Sequence, residues 1–586
     1  MKRIIILFVG IALSCSLYST GQTTIKNETV LNGYKNIPQE QVFVHHNASL
    51  LFAGEYLYYK LYTKNVNTNT FSDLSKVAYV TLVGENKKPV FTHKLSLNKG
   101  VGQGDYFIPT SLPSGNYKLI GYTQWMLNGG KDYFFQDDIT IINPYQGDQS
   151  ALSVSENSSQ QTNNNPFKTS SNNDVAISLN KKNYGKREQV SLKISKLGEP
   201  SIAGDYSLSV KRIDTVNHPL RSTAEGYADA YKNKDKSKSK SINENIYLPE
   251  LRGEIITGKV TLSGSETPAV DQKVAMSIPG EDFILKVTNT NEDGRFYFNL
   301  NKEYSETNAS IQVLSNTETA YDIVVDKNPT IDYSTLRFNK FELTQDMKDF
   351  ILQRSIYNQV ENGYFTVKPD TIRSPIPAPP FYGMKGETFN LDDYTRFSSM
   401  KETFVEIIDK VWLRTDKNGK PVFQIRDLDL TSSSDLLPII IIDGVLVQDH
   451  GKLADYNAKK VQKITIIRDK FYLGSYVFQG IIEVETIDGD YYKSMYNSKI
   501  SSVELFNAEK RKNYFRQEYA PGSKSKTDRV PDFRNQLLWL PNLSLTNEGT
   551  TVDFYTSDNT GMYEVVLEGF TTEGKPVSIR EIFSIK

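Results

Sequence analysis

The chain has 586 residues, more than one hydrophobic core serves, so several domains are expected. Its 68 basic and 69 acidic side chains leave a formal net charge of -1, and with no long basic block the composition argues against nucleic acid as a partner. A single cysteine, Cys15, excludes a disulfide framework and the cysteine patterns of zinc sites.

At the N-terminus, Met1-Lys-Arg3 precedes the apolar run Ile4 to Leu13 and then small and polar residues through Ser19-Thr-Gly21-Gln22, the three regions of a secretory signal peptide over 1–21. Cleavage near Gly21 removes Cys15 and leaves no thiol chemistry. The alternative is lipidation of Cys15, but Leu13 stands one place later than a lipoprotein signal prefers. No later segment approaches the roughly 20 apolar residues of a spanning helix. The expected location is the cell envelope, in the periplasm or associated with the outer membrane, with membrane contact only through partners or a lipid on Cys15.

Between 41 and 146 the pattern has period two, in Val42-Phe-Val44, Tyr56 to Tyr62, Val77 to Val83, Tyr117 to Thr123 and Ile139 to Ile142, broken by Gly, Asn and Pro turns. Evenly spaced short strands of this kind predict a β-sandwich. The phrases Gln41-Val-Phe-Val-His-His46, Ala53-Gly-Glu55, Pro113-Ser-Gly-Asn-Tyr117 and Tyr122-Thr-Gln-Trp-Met126 are similar to the macroglobulin-type domain of many Bacteroidota envelope proteins. The Ser-, Asn- and Gln-rich stretch within 147–174 has too few apolar residues to offset ordering and reads as a flexible linker. Region 175–250 alternates again, and Asn183-Tyr-Gly-Lys-Arg187 and Tyr206-Ser-Leu-Ser-Val210 resemble a second macroglobulin-like unit, interrupted by a solvated Lys/Ser loop from Lys232 to Lys240.

In 252–330, Gly258-Lys-Val-Thr-Leu262, Val274-Ala-Met-Ser-Ile278 and Asn291-Glu-Asp-Gly-Arg-Phe-Tyr-Phe298 resemble the carboxypeptidase-regulatory-like, Ig-like β-domain, a spacer. Region 331–390 reads as a connector. Thr344 is placed to cap a helix with Met347, Phe350, Ile351, Tyr357 and Val360 on one face, ending before Gly363, and Pro375 to Pro380 follow as a stiff extended link.

Within 391–495, Ser399-x-x-Glu402 is a capping box before Phe404, Val405, Ile407 and Ile408. The run Pro438-Ile-Ile-Ile-Ile-Asp443-Gly444-Val-Leu-Val447 predicts a hairpin, because both turn residues need positive φ. A slip of one residue would turn Ile440 and Ile442 to the opposite face. With Lys463-Ile-Thr-Ile-Ile-Arg-Asp469, Tyr472-x-Gly474 and Gly480-Ile-Ile-Glu-Val-Glu-Thr486, this block resembles the plug domain of TonB-dependent outer-membrane receptors. Such receptors continue into a barrel of about 22 strands, for which the residues after Thr486 are too few. The resemblance marks Asp443, Gly444, Tyr472, Gly474 and Gly480 as its structural signature. The segment 496–586 carries Val530-Pro-Asp-Phe-Arg534, Leu538-Trp-Leu-Pro541 and a closing strand pair, phrases that also occur in macroglobulin-plus-plug proteins.

Catalytic patterns fail on required parts. Gly100-Val-Gly102-Gln-Gly104 is flanked by strands and reads as a sandwich loop, not a phosphate loop. Asn289-x-Asn291-x-Asp293-Gly294 has Leu300 where a calcium loop needs Glu, and reads as a hairpin turn. His45 and His46 are adjacent on a strand and point to opposite faces, one at the surface and one in the core. His93, His218 and His450 stand alone. The abundant Tyr and Phe read as core and cross-strand pairs. The macroglobulin resemblance does not bring protease trapping with it, because the internal thioester requires a cysteine.

The expected fold is mainly β and multidomain, macroglobulin/Ig-like β-sandwiches plus a small α/β plug-like domain, with no catalytic residue, metal or cofactor. The expected function is a non-enzymatic envelope protein that binds or scaffolds a protein partner, such as an outer-membrane β-barrel, a receptor or a secretion component. The alternative is a nutrient- or glycan-binding accessory protein of a TonB-dependent uptake system.

Overall fold

The computed structural model describes residues 22–147, 152–155, 169–214, 216, 218–232, 240–242, 244–280, 282–315, 319–327, 329–373, 380–383, 386–417, 419–426, 436–473, 476–494, 500–519 and 529–586. The leader with Cys15, the Lys/Ser loop, the proline-rich link and Gly474 fall mainly or wholly outside them. The chain is mainly β and divides into two compact units. The larger comprises Gln22–Gly253, Thr330–Ser374 and Ala508–Lys586, and the smaller Glu254–Pro329 and Pro375–Asn507.

In the larger unit a three-stranded sheet of Glu40–His46, Tyr56–Asn65 and Val101–Phe107 faces a five-stranded sheet ordered Leu50–Phe52, Phe135–Ile142, Gly115–Tyr122, Val77–Gly84, Pro89–Ser96. The strand Tyr56–Asn65 explains how the unit is assembled, since alternate side chains leave a strand on opposite faces. Leu57, Tyr59 and Leu61 fill this sandwich, and Tyr59 reaches His93 on the facing sheet. Lys60 and Tyr62 point the other way, to Asp205, the Pro541 carbonyl and the Ser207 hydroxyl of a second sandwich. Both faces of the sheet are therefore covered, and Glu40–His46 is buried along its whole length. His45 and His46 are accordingly both buried, neither at the surface. Gly100 to Gly104 lie at and in the strand Val101–Phe107, not in a loop: a Cβ on Gly104 would sit 2.3 Å from the Tyr59 hydroxyl, so the ring packs where a side chain would stand.

The second sandwich corrects the expected domain limits. Val175–Leu179 and Gln189–Lys196 pair with Thr550–Tyr555, while Gly204–Arg212 lies between Gln536–Leu545 and Gly561–Thr571, with Pro576–Ile585 beyond. Val190, Leu192, Leu208, Val565, Leu567 and Phe583 share its core. Regions 175–250 and 496–586 are thus not separate, because neither supplies enough strands to bury its own apolar face. Most of the expected linker 147–174 lies outside the described residues; within it Leu152 is buried, and Ser153–Ser155 pairs in parallel with Glu342–Thr344.

The helix Lys348–Gly363 follows a 3-10 turn, Gln345–Met347, and the Thr344 hydroxyl caps nothing. Its buried positions are Arg354, Ser355 and Asn358, whereas Leu352 and Ile356 are exposed. The expected apolar face is the packed one: Met347, Phe350 and Ile351 join the cluster with Leu50 and Phe52, and Tyr357 stacks on Phe533 at 4.5 Å. Arg354, three residues from Ile351 and four from Phe350, lies on that same face. Arg354 donates to Glu55 at 2.7 and 2.8 Å and to Asp214 at 2.6 Å, and its guanidinium lies 4.5 Å from the centre of the Phe52 ring.

In the smaller unit, Arg295–Leu300, Glu254–Leu262 and Tyr321–Val325 form one sheet and Ile284–Asn289, Lys273–Ile278, Asn308–Leu314 and Ile500–Glu504 the other. Ile500–Glu504 therefore completes the 252–330 sandwich and does not belong to a C-terminal segment. The turn 289–294 joins strands of different sheets, so it is not a hairpin turn. A five-stranded mixed sheet, Glu387–Asn390, Val461–Leu473, Tyr476–Thr486, Ile439–Ile442 and Val445–Leu446, carries the helices Met400–Ile407 and His450–Ala454 and the hairpin Val411–Thr415/Pro421–Ile425. Ile440 and Ile442 pack with Met400, Phe404, Phe423 and Leu453. Ile439 and Ile441 pack with Ala275, Phe283 and Leu285 of the sandwich. The α/β module thus shares a core with the sandwich and is not a free-standing domain. Ser399 caps the helix Met400–Ile407 by accepting from Glu402 N at 3.3 Å, while the Glu402 carboxylate reaches back to Ser398 N at 3.1 Å, one residue before the bond a full capping box makes. No helix among the described residues is long and apolar enough to cross a membrane.

Candidate functional site

The residues marked from sequence lie in the smaller unit. Asp443 and Gly444 form the hairpin turn with φ of 49° and 80°, and Ile442 pairs with Val445. The Asp443 carboxylate accepts from Thr486 N at 2.7 Å, Thr486 Oγ1 at 2.6 Å and Tyr491 N at 2.9 Å, which ties the turn to the end of the neighbouring strand. A Cβ on Gly444 would stand 2.4 Å from Phe283 Cβ, so the turn is seated against the sandwich. Gly480 (φ 82°) lies opposite a register shift between Ile467 and Lys470, where a Cβ would meet the Ile467 carbonyl at 2.2 Å. Tyr472 is 68% exposed on the long hairpin whose tip, with Gly474, is outside the described residues. These residues shape a turn, a bulge and an arm, and the structure does not gather them into a pocket.

A cleft of about 170 Å³ lies in the larger unit. Tyr56 and Tyr58, two apart on one strand and so on one face, form its inner wall with Trp539. Four near-parallel rings run along it. Phe365 to Tyr56 is 6.1 Å between centres, Tyr56 to Tyr58 5.5 Å and Tyr58 to Trp539 6.0 Å, with interplanar angles of 15°, 13° and 20°. Tyr514 meets Tyr58 edge-on at 5.0 Å. The helix Lys348–Gly363 and the segment after it supply Asn358, Glu361, Asn362, Lys368 and Asp370.

Charges in the wall are mostly paired within the protein. Glu55 is held by Arg354, Glu361 by Lys368 at 2.6 Å, Lys211 by Asp214 at 2.9 Å, and Arg534 by Asp532 at 2.7 Å. Burial alone would raise the Asp214 carboxyl, but Arg354 and Lys211 hold it well below its usual range. Asp370 differs. One oxygen accepts from Phe515 N at 2.8 Å, the other has no partner among the described residues, and burial raises its pKa. Asn362 donates to the Gly54 carbonyl at 3.0 Å and Asn358 to Glu55 at 3.1 Å, and neither amide oxygen has a partner among the described residues. The Trp539 indole N–H is buried without a hydrogen-bond partner among the described residues. Such groups can orient a ligand.

The five histidines are structural. His46 bonds Asp137 at 2.9 Å, His45 bonds Ser207 at 2.6 Å, His93 bonds Tyr59 at 2.6 Å, and His218 bonds Ser49 at 3.0 Å. His450 accepts from Phe423 N at 3.0 Å. Burial lowers the pKa of His93 and His450 to about 4 and depresses those of His45 and His218. Among the described residues no group of three or more His, Cys, Asp or Glu could hold a metal ion.

No protein-family model and no curated protein matches the chain. Solved structures similar to it include a Salmonella alpha-2-macroglobulin reacted with methylamine, at 9% identity and a TM-score of 0.22, covering 93% of this chain and 39% of that one. An Escherichia coli alpha-2-macroglobulin activated by porcine elastase matches at 9% identity and a TM-score of 0.24, covering 93% and 44%. The E. coli adhesin FdeC matches at 11% identity and a TM-score of 0.15, covering 50% and 66%. The chain spans less than half the length of these macroglobulins. The overlaps are low, and the fold assignment rests on the sheets of this chain.

Proposed function

We propose that this chain is a non-enzymatic binding protein of the cell envelope, with its recognition site in the cleft of the larger unit and the α/β module serving as scaffold. The observation that carries the reading is the cleft itself: an aromatic wall, internally paired charges and a few hydrogen-bonding groups without partners, the make-up of a ligand site. Every histidine, the usual general base, is spent on structural bonds. The scaffold role follows from the Asp443-Gly444 turn, which faces the sandwich and shares its core, so that face is already occupied. Export is proposed from the tripartite leader.

A protein partner, an outer-membrane barrel by the resemblance of 391–495 to receptor plugs, is the second reading. It draws support from Leu352, Ile356, Phe365 and Val367, which are 58%, 49%, 46% and 43% exposed around the cleft-bearing helix. The test incubates the purified full chain with solubilised envelope and compares retained material with that held by Phe365→Ala and Asp370→Asn. The proposal expects retention to fall in both variants and the retained ligand to be recovered chemically unchanged. Equal retention by all three proteins, or a ligand altered by the chain, would overturn it.

A further inference from the structure

We infer that the cleft takes one pyranose unit of a neutral glycan, an assignment that rests on the cleft being the recognition site. Size is the first argument. At about 170 Å³ the space is close to an engineered cavity of about 150 Å³ that accepts benzene, so it admits one six-membered ring and leaves the rest of a chain in solvent.

The walls supply the second argument. A sugar ring has apolar C–H faces and a polar rim, and so needs aromatic surface together with hydrogen-bonding groups. The row from Phe365 through Tyr56 and Tyr58 to Trp539 provides the first, and Phe365, 46% exposed, presents its ring at the mouth. Centres 5.5 to 6.1 Å apart leave no room for a ring to slide between neighbours, so a guest lies against the row and does not intercalate. Asp370 and Asn362 offer oxygens without partners among the described residues to hydroxyl donors, and the Asn362 amide, which spends one N–H on the Gly54 carbonyl, has a second for a hydroxyl oxygen. A hydroxyl both donates and accepts, which suits this mixed set better than an ammonium, which only donates. A purely apolar ring would leave Asp370 and Asn362 unanswered.

Charge supplies the third argument. Glu55, Glu361, Lys211 and Arg534 are paired inside the wall, so an anion would find no free cation among the described residues of the wall, and a cation would find only Asp370, whose charged form burial disfavours. That balance favours a neutral ligand.

The test uses the full chain labelled with 5-fluorotryptophan. Its three tryptophans give separate fluorine resonances, with Trp539 assigned by Trp539→Phe. The probes are methyl glycosides of glucose, galactose, mannose, xylose and N-acetylglucosamine, with tetramethylammonium and phenol as the ionic and apolar comparators. At least one glycoside should move the Trp539 resonance saturably at millimolar concentration while Trp125 and Trp412 stay put. Phe365→Ala and Asp370→Asn should weaken that binding about tenfold or more, and Leu352→Ala, outside the cleft, should not. No response to any glycoside would overturn the inference. So would a response to tetramethylammonium or phenol alone, but that result would leave the cleft standing as a recognition site, which envelope retention tests separately.

Discussion

Replacing Arg354 with Met should unfold the larger unit far more easily, although the side chain is near-isosteric and the helix Lys348–Gly363 tolerates Met well. Arg354 is 3% exposed and makes six interactions: two with Glu55, one with Asp214, one with the Leu50 carbonyl at 3.2 Å, and one with each of the Phe52 and Phe350 rings. The local charge balances as two cations, Arg354 and Lys211, against two carboxylates, Glu55 and Asp214. The substitution leaves one buried negative charge uncompensated, for which a cost of about 3 to 5 kcal/mol is typical. Adding Glu55→Gln removes that charge and should return at least about 1 kcal/mol, a coupling expected of direct partners. In a Trp412→Phe background the remaining tryptophans, Trp125 and Trp539, both belong to the larger unit, so fluorescence in urea reports that unit alone. Leu352→Ala, 58% exposed on the same helix, should stay within about 0.5 kcal/mol. If Arg354→Met cost no more than Leu352→Ala, the helix would not be held by Arg354 and the reasoning would fail.

Gly444→Val should destabilise the smaller unit by about 2 to 5 kcal/mol, combining turn strain with a forced shift of Phe283, as read from Trp412 fluorescence in urea. Glu568 is raised from 4.5 to about 8 by burial, so the folded state keeps a proton that the unfolded chain releases. Its contribution is present below pH 4.5 and lost as pH rises toward 8, by about 3 to 5 kcal/mol, and Glu568→Gln should flatten urea midpoints of the larger unit over that window. His450 is lowered by burial to about 4, so it stays neutral in the folded state while the unfolded chain takes up a proton below pH 6.5. The smaller unit should therefore lose about 2 to 3 kcal/mol between pH 6.5 and 4, less so in His450→Asn, whose amide oxygen can still accept from Phe423 N.

Local features were the most legible in the sequence. The Asp443-Gly444 turn, the Ser399 cap and the strand Tyr56–Asn65 each follow from a few adjacent residues whose conformational needs are strong. Partnership between distant segments was not legible: that Gly204–Arg212 would lie between two strands from beyond residue 530 depends on which apolar faces remain uncovered after local folding. The four isoleucines 439–442 show a related limit. Their run implies burial, but since both faces are apolar a register slip would expose nothing, and the Asp443 bonds to Thr486 and Tyr491 set the register instead. Arg354 was illegible for another reason: it stands within the apolar stripe that the spacing predicts, and only the fold brings up the two carboxylates, Glu55 and Asp214, that claim it. The cleft was hidden in plain composition. Tyr56, Tyr58, Phe365 and Trp539 come from three distant segments and read individually as core aromatics.

The most direct measurement is hydrogen–deuterium exchange on the full chain with and without solubilised envelope. The account predicts protection in peptides covering 54–60, 354–370 and 534–540, with little change over 439–486. Protection confined to 439–486, with the cleft peptides exchanging as in the free chain, would contradict it and return recognition to the α/β module.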